Sequence, residues 1–468
     1  MSSSAPYSKD VIFYAVSLVG VAVAVILLSW FLGIMWYSLF MIHIALTIAI
    51  WVVYGIMCIY CVYLAYRVVG YLRSRPVKDV SAMKHYILPA IIILAAVVTP
   101  FIALKAPSWI EHDMAPHLSF GSDPARNVTI TWYSTSSYVG KVMYGTNPAD
   151  LNRTVQDPAA TKQHAIPLAS LSPGTRYYYQ IDGFSGTWSF RTANETTNMT
   201  RFVAFSDIHS MFYPAMTPAI TALDPDFVLA VGDLTDYGAS NEDWHKYFEL
   251  TKQIAMNHSV MTAIGNHDSM FFGDGNYLKY LTMPKASTGS EKYYYFKYNG
   301  VHFICLDLEW GLESYDAAQK AWFLSTIVSI RATDPTGWLV VYDHCMHVSS
   351  GGFGNATGDL LKLYNTAGNV MAEFHQTFVD YGVNLVISGH DHHFEVSNWD
   401  GVVYAIVGTA NTRLDPASPA NNTCSVFYEP GYSGFTEITI NGNTCTIAGH
   451  LYTAGGSLMA PFTYSFLG

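Results

Sequence analysis

Charge is what this sequence is short of. Only 13% of its 468 residues are Asp, Glu, Lys or Arg, about half the ~25% usual in soluble domains. The deficit is local, because residues 11–65 contain none of the four. Asparagine is absent from residues 1–107. Residues 108–468 have an ordinary soluble composition but no basic block. They carry 17 basic and 33 acidic groups, a net −16, against +5 for residues 1–107. An acidic soluble part of this kind argues against nucleic-acid binding. Cysteine is sparse, at six residues. Cys58 and Cys61 lie in an apolar run. The other four allow three pairings. Cys424 and Cys445 are close in sequence and are expected to form a disulfide. Cys305, inside a strand-like apolar run, is expected to be a buried thiol.

The uncharged stretch is long enough for a membrane. About 20 apolar residues span the hydrocarbon core. Residues 11–33, 35–66 and 86–104 each meet that length, which predicts three transmembrane helices within residues 1–107. A two-span reading, with Gly33–Ser38 as a re-entrant corner, stays open. The first run is too long, and too poor in preceding basic residues, for a cleaved signal peptide. The loop between the second and third runs holds Arg67, Arg73, Arg75, Lys78 and Lys84 against Asp79 alone. The positive-inside rule makes that loop cytoplasmic and places everything after about Pro107 on the extracytoplasmic side. Seven N-x-S/T sequons, at Asn127, Asn152, Asn194, Asn198, Asn257, Asn355 and Asn421, all fall on that side. They predict a glycosylated lumenal or extracellular domain on a multi-pass anchor. His43, within a span, is expected to face a neighbouring helix.

Residues 108–192 read as a small β-sandwich. NVTITWYS (127–134) alternates Val128, Ile130 and Trp132 on one face, and KVMYGT, TRYYYQI and GTWSFRT follow between turns. LSPGTRYYY resembles the strand-turn segment of fibronectin type III folds, with Tyr177 as the tyrosine that bonds back across the corner. Residues 193–200 read as a polar linker. From Arg201 the pattern becomes α/β. Apolar strands are expected at 202–207, 227–233, 260–266, 302–308, 338–344 and 384–390, with helices at 214–223, 241–255, 316–331 and 370–381. In the Tyr-rich run 292–298, strand alternation accounts for the aromatics.

Five of those six strands end on a residue of metal-ligand type. In α/β sheets, ligand sites gather at the carboxyl ends of strands. The groups are Asp207 and His209 in SDIHS, Asp233 in GDLTD, Asn266 and His267 in GNHD, His344 in YDHCMH, and His390 and His392 in GHDHH. Such side chains suit two borderline-hard cations such as Fe, Zn or Mn. A single carboxylate, Asp233, is placed to bridge them.

In this order, over residues 201–411, the motifs resemble those of the calcineurin-like metallophosphoesterase superfamily: D-x-H, G-D, G-N-H-D, a lone His and G-H-x-H. The preceding WYS, YGT and LSPGTRYYYQI, and GTANTR with GFTEITI beyond, resemble purple acid phosphatases. The resemblance implies a two-sheet metallophosphoesterase sandwich flanked by helices over residues 201–468. It implies that Asp207, His209 and His392 hold a first metal, that Asn266, His344 and His390 hold a second, and that Asp233 bridges. His267 becomes the catalytic histidine and Asp268 its orienting partner. Purple acid phosphatases carry D-x-G and a Tyr three residues after the bridging Asp. Here His209 is kept, position 236 is Asp, and Tyr237 stands one residue late. The first metal is therefore expected to take imidazole rather than phenolate. His347 and His393 are expected to serve packing or the surface, and Asp236 to support the site or form a turn. The implied activity is phosphate-ester hydrolysis of acid-phosphatase type. Phosphodiesterase action on a nucleotide or lipid head group remains the alternative. A non-catalytic scaffold would be marked by a lost ligand, and none is lost.

Overall fold

The computed structural model describes residues 110–270, 272–351, 366–415, 423–459 and 461–468. The chain divides into two compact units, Met1–Trp109 and Ile110–Gly468. The expected transmembrane segments, His43, Cys58, Cys61 and the sequons at Asn355 and Asn421 lie outside the described residues. Among the described residues no helix is long and apolar enough to cross a membrane.

The first layer pairs two small antiparallel sheets. Strands β1 (Met114–Phe120), β2 (Val128–Tyr138) and β5 (Thr161–Leu168) form one. Strands β4 (Arg153–Gln156), β3 (Lys141–Gly145), β6 (Arg176–Ile181) and β7 (Trp188–Arg191) form the other. Alternation drives this pairing, since Val128, Ile130 and Trp132 are all buried on one face of β2. The Ser172 N–H donates to the Tyr177 hydroxyl at 2.9 Å, which closes the expected tyrosine corner.

Within this sandwich, His164 Nδ1 lies 2.5 Å from Asp157 Oδ2 and its Nε2 lies 3.1 Å from Ser134 Oγ. The row imitates a Ser-His-Asp triad in outline only. His164 is fully buried between the rings of Trp132 and Tyr138, and Ser134 Oγ also donates to the Ser136 carbonyl at 2.7 Å. Its role is to satisfy polar groups in a closed core. Asp157→Ala leaves a buried imidazole N–H without an acceptor, a loss of about 2–3 kcal/mol. Thermal melting of the variant should fall by several degrees, and an unchanged transition would contradict this role.

Residues 193–200 are no loose tether. The Asn194 N–H donates to Asn299 Oδ1 at 2.6 Å, and β8 (Met199–Phe205) already begins within the stretch. After β8 the chain runs through α1 (Met216–Leu223), β9 (Phe227–Val231), α2 (Asn241–Ala255), β10 (Val260–Ala263), α3 (Asn266–Ser269) and α4 (Asp274–Tyr280). It continues through β11 (Tyr294–Tyr298), β12 (Val301–Cys305), α5 (Ala317–Thr333), β13 (Leu339–Tyr342), α6 (Thr366–Asp380) and β14 (Leu385–Ser388). The last elements are β15 (His393–Trp399), β16 (Val402–Val407), β17 (Ser425–Pro430), β18 (Ser433–Asn441), β19 (Thr444–Tyr452) and β20 (Phe462–Leu467).

These strands build two mixed sheets, ordered β10-β9-β8-β18-β19-β20 and β11-β12-β13-β14-β16-β15-β17. Strands β8, β9 and β10 run parallel, as do β12, β13, β14 and β16. Period-2 alternation serves two cores at once. Phe303, Val340, Tyr342, Leu385 and Ile387 face the other sheet. Ile304, Val341 and Val386 face Phe323, Ile327, Phe374 and Phe378 of α5 and α6. Helix starts are capped: Ser240 accepts from the Asp243 N–H before α2, and Asp316 accepts from the Gln319 N–H before α5.

One expectation is overturned here. Cys424 and Cys445 form no disulfide, and neither do Cys305 and Cys345. Cys445 is buried in β19 of the six-stranded sheet, whereas Cys424 precedes β17 of the seven-stranded sheet. Closeness in sequence did not bring the two together. Cys305 is fully buried, as expected.

Candidate metal centre

The carboxyl ends of β8, β9, β10, β13 and β14 converge on one site. Asp207 follows β8, Asp233 follows β9, Asn266 opens α3, His344 follows β13 and His390 follows β14. The chain must turn sharply at each strand end while its side chain stays aimed inward. Asp207, His209, Asp233 and His390 all take positive φ, between 47° and 69°. Left-handed backbone in non-glycine residues is costly and concentrates at functional sites. Gly232 has φ 80°, and a Cβ there would strike the His344 ring. A Cβ on Gly265 would strike Asp233.

Two clusters result, and Asp233 of the second lies near His209 of the first. Ligand atoms of Asp207, His209 and His392 lie within 4.8 Å of one another, as do those of Asp233, His344 and His390. A third grouping of His209, Asp233 and His267 overlaps both. In the first cluster His392 Nε2 is 3.2 Å from Asp207 Oδ1 and 3.2 Å from His209 Nε2. In the second, His344 Nε2 is 3.3 Å from Asp233 Oδ2 and 3.1 Å from Asn266 Oδ1. His390 Nδ1 is 2.9 Å from the same Asn266 oxygen. Asp233 Oδ2 also lies 3.6 Å from His209 Nε2. All seven predicted ligands are thus gathered, with Asp233 between the clusters.

The donor set fits a pair of cations. Asp207 Oδ1 and His209 Nδ1 are buried without a hydrogen-bond partner among the described residues. Imidazole nitrogens face each other at 3.2 and 3.3 Å, where a proton or a cation must sit between lone pairs. The rings are held from behind, as metal-ligating imidazoles commonly are. His344 Nδ1 lies 3.0 Å from the Val231 carbonyl and His392 Nδ1 lies 2.8 Å from the Arg413 carbonyl.

Electrostatics agree. Burial alone would lower His344, but the Asp233 carboxylate outweighs it and raises the imidazole to about 10. Burial opposes His392 likewise, and Asp207 raises it to about 9. Burial and then the neighbouring His344 charge push His390 down to about 4. Without metal at neutral pH, protons on His344 and His392 therefore balance the carboxylates. Metal ligation needs neutral imidazole. Zinc binding near pH 7 is thus expected to release about two protons, and affinity should climb as pH rises toward 9. Calorimetry in two buffers of different ionisation enthalpy reads that number, and release of no protons would contradict the assignment.

His267 and Asp268 part company. His267 Nδ1 lies 2.8 Å from the Asp236 carbonyl, and its ring meets His209 edge-on at 4.4 Å. Asp268 turns the other way. Its carboxylate accepts from the Leu234, Thr235 and Gly265 N–H groups and the Thr235 hydroxyl, at 2.9–3.2 Å. The expected orienting contact from Asp268 to His267 is therefore replaced by the Asp236 carbonyl, while Asp268 fixes the loop that carries Asp233. His347 and His393 are buried against Asp343 and Glu395. Sequence reasoning missed Arg413, whose guanidinium pairs with Asp236 through both oxygens. GTANTR contained it, but nothing local marked it.

Residues 200–394 match the calcineurin-like phosphoesterase family, and residues 114–196 match the purple acid phosphatase N-terminal domain. The chain carries a calcineurin-like metallophosphoesterase domain behind a purple acid phosphatase N-terminal domain. The chain has distant relatives. An uncharacterised protein of Mycobacterium tuberculosis is 26% identical over 339 residues, 60% of this chain and 61% of that one. The chain thus spans less than two thirds of that relative. Purple acid phosphatase 18 of Arabidopsis thaliana is 24% identical over 66% of this chain and 69% of its own. Acid phosphatase type 7 of Homo sapiens is 23% identical over 63% and 72%. A purple acid phosphatase from yellow lupin seeds shares the fold, with a TM-score of 0.58 at 19% identity over 75% of this chain and 74% of that one. PhoD does so with a TM-score of 0.63 at 11% identity over 75% and 90%.

Proposed function

We propose that this protein is a binuclear-metal phosphoesterase, of acid-phosphatase type, anchored in a membrane by its N-terminal segment. The observation that carries the catalytic reading is the pair of ligand clusters at the carboxyl edge of the sheets, with Asp233 of the second 3.6 Å from His209 of the first. Asp207, His209 and His392 would hold one ion, Asn266, His344 and His390 the other, with Asp233 between them. When bound, such a pair supplies Lewis acidity toward phosphoryl oxygens and a nucleophile at neutral pH. The chain's own residues do the rest. Asp268 and the left-handed turns hold the ligands still, and positioning of this kind provides much of phosphoryl-transfer catalysis. His267, fixed through Nδ1 by the Asp236 carbonyl, presents Nε2 for proton transfer to the leaving oxygen.

The metal pair is drawn from Fe, Zn and Mn. His209 stands in the first cluster, which favours an imidazole ligand and a centre that is colourless or faintly yellow when iron-loaded. A strong visible band abolished by Tyr237→Phe but kept in His209→Ala would reverse that choice. The anchor rests on the uncharged runs and basic loop of residues 1–107. An extracytoplasmic location rests on the sequons, and none of the five described sequon asparagines is buried. Glycosidase treatment of the mature protein from a eukaryotic host should raise its gel mobility. The metal-loaded full-length chain should hydrolyse p-nitrophenyl phosphate or its bis ester, and be stopped by chelator. Hydrolysis of neither ester with two metals bound would sink the catalytic reading.

A further inference from the structure

A cavity of about 1140 Å³ opens between the β-sandwich and helix α2, and none of the metal ligands lines it. Its volume slightly exceeds the ~300–1,000 Å³ of ordinary small-molecule sites. Tyr138, Phe184 and Trp188 contribute aromatic surface, and Phe184 is exposed. Asp182 and Gln253 contribute exposed polar side chains. The basic groups on the wall are already engaged: Lys252 Nζ lies 2.6 Å from Glu249 Oε2, and His245 Nδ1 lies 2.8 Å from the Asp113 carbonyl. An anion such as a phosphate therefore meets no unmatched charge here. Flat apolar faces beside carboxylates and amides suit a neutral sugar, whose C–H faces stack on aromatic rings while its hydroxyls find polar partners.

One residue of the wall can supply that sugar. Asn257 lines the cavity and opens the sequon Asn257-His258-Ser259. Its side chain is oriented from both sides of the seam. Oδ1 accepts from the Ser189 N–H of β7 at 3.3 Å, and Nδ2 donates to the Gln253 carbonyl of α2 at 3.0 Å. Beside it, the Tyr179 hydroxyl of β6 donates to the Met256 carbonyl at 2.7 Å. An amide nitrogen carries two hydrogens, so the bond to Gln253 leaves one for substitution.

We infer that Asn257 carries an N-linked glycan whose first sugars lie in this cavity and join the β-sandwich to the phosphoesterase domain. The inference rests on the extracytoplasmic reading above. In the attachment step, Nδ2 displaces a lipid pyrophosphate carrier from C1 of the oligosaccharide. The C1–O bond breaks, the C1–N bond forms, one amide hydrogen leaves as a proton, and the carrier keeps the bonding pair. The transfer takes place on the unfolded chain, so the later burial of Ser259 does not oppose it. Sugar–aromatic contacts are weak singly, but a glycan tethered to the cavity wall meets them at an effective concentration on the order of millimolar.

The test uses the full-length chain from a eukaryotic host. Peptide mass analysis should find Asn257 modified. Glycosidase should release that glycan from the native protein roughly 10-fold more slowly than those at the exposed Asn152 and Asn198, because the enzyme reads only the opened fraction. After denaturation the rates should be equal. Ser259→Ala removes the sequon at little cost to the fold, since the Ser259 hydroxyl is buried without a hydrogen-bond partner among the described residues. It should lower the melting temperature by a few degrees in the eukaryotic product and leave it unchanged in a bacterial one, which carries no such glycan. Equal native release from Asn257 and the exposed sites would overturn the inference, as would equal melting of glycosylated wild type and Ser259→Ala. An unmodified Asn257 would overturn it too; modification at the other asparagines would then leave the extracytoplasmic location standing, and modification nowhere would count against that location as well.

Discussion

Asp233→Asn is expected to empty the metal centre and to lower ester hydrolysis by on the order of 10³, the rate equivalent of several kcal/mol of lost charge stabilisation. The substitution is chosen because it spares the backbone. Asp233 sits at φ 51°, and asparagine tolerates that left-handed region as well as aspartate does. Its Oδ1 would still accept from the His267 N–H, now at 2.9 Å. What disappears is the negative charge between the clusters. That charge is the largest pull holding His344 above its ordinary value, and it stands 3.6 Å from His209. A neutral amide can face one cation through its oxygen but cannot bridge two. Metal analysis and turnover should therefore fall together, with the melting temperature of the metal-free form little changed. Retention of both metals at wild-type stoichiometry would show that Asp233 does not bridge.

The residues that make this prediction possible were legible because each sits in a short motif at a strand end, where local spacing carries the geometry. Strand lengths were less legible. The apolar pattern of 338–344 runs to the ligand, while β13 stops at Tyr342, because the chain leaves extended geometry before it presents His344. Asp268 was misread for a related reason. Adjacent side chains on a helical turn point about 100° apart, so a carboxylate next to His267 in sequence cannot face it in α3. Arg413 was invisible because its partner lies 177 residues away. The strands from 433 onward alternate plainly, yet nothing in them announces that β18 pairs with β8, Thr436 opposite Ala204, and so completes the sheet that carries Asp207. Cys424 and Cys445 fail in the same manner: they are only 21 residues apart in sequence, and sheet membership separates them in space.

His267→Ala is expected to keep both metals and lose roughly 10²–10⁴ in rate, the usual worth of a positioned acid or base. The structure separates the two roles. The His267 backbone N–H, which alanine retains, is what contacts Asp233. The ring does something else: its Nδ1 is taken by the Asp236 carbonyl, which sets the tautomer, and Nε2 is then the nitrogen that would move a proton. If that nitrogen protonates the leaving oxygen, the defect must depend on how much the leaving group needs a proton. A p-nitrophenolate departs unaided more readily than an alkoxide. The loss should accordingly be smaller on p-nitrophenyl phosphate than on an alkyl phosphate, and the change should sit in kcat with KM nearly constant. The rival comes from the grouping of His267 with His209 and Asp233 within 4.8 Å, which would suit a metal ligand. In that case His267→Ala loses metal along with rate, and every ester suffers alike whatever its leaving group. Metal content and the leaving-group dependence of the same variant decide between proton donor and ligand.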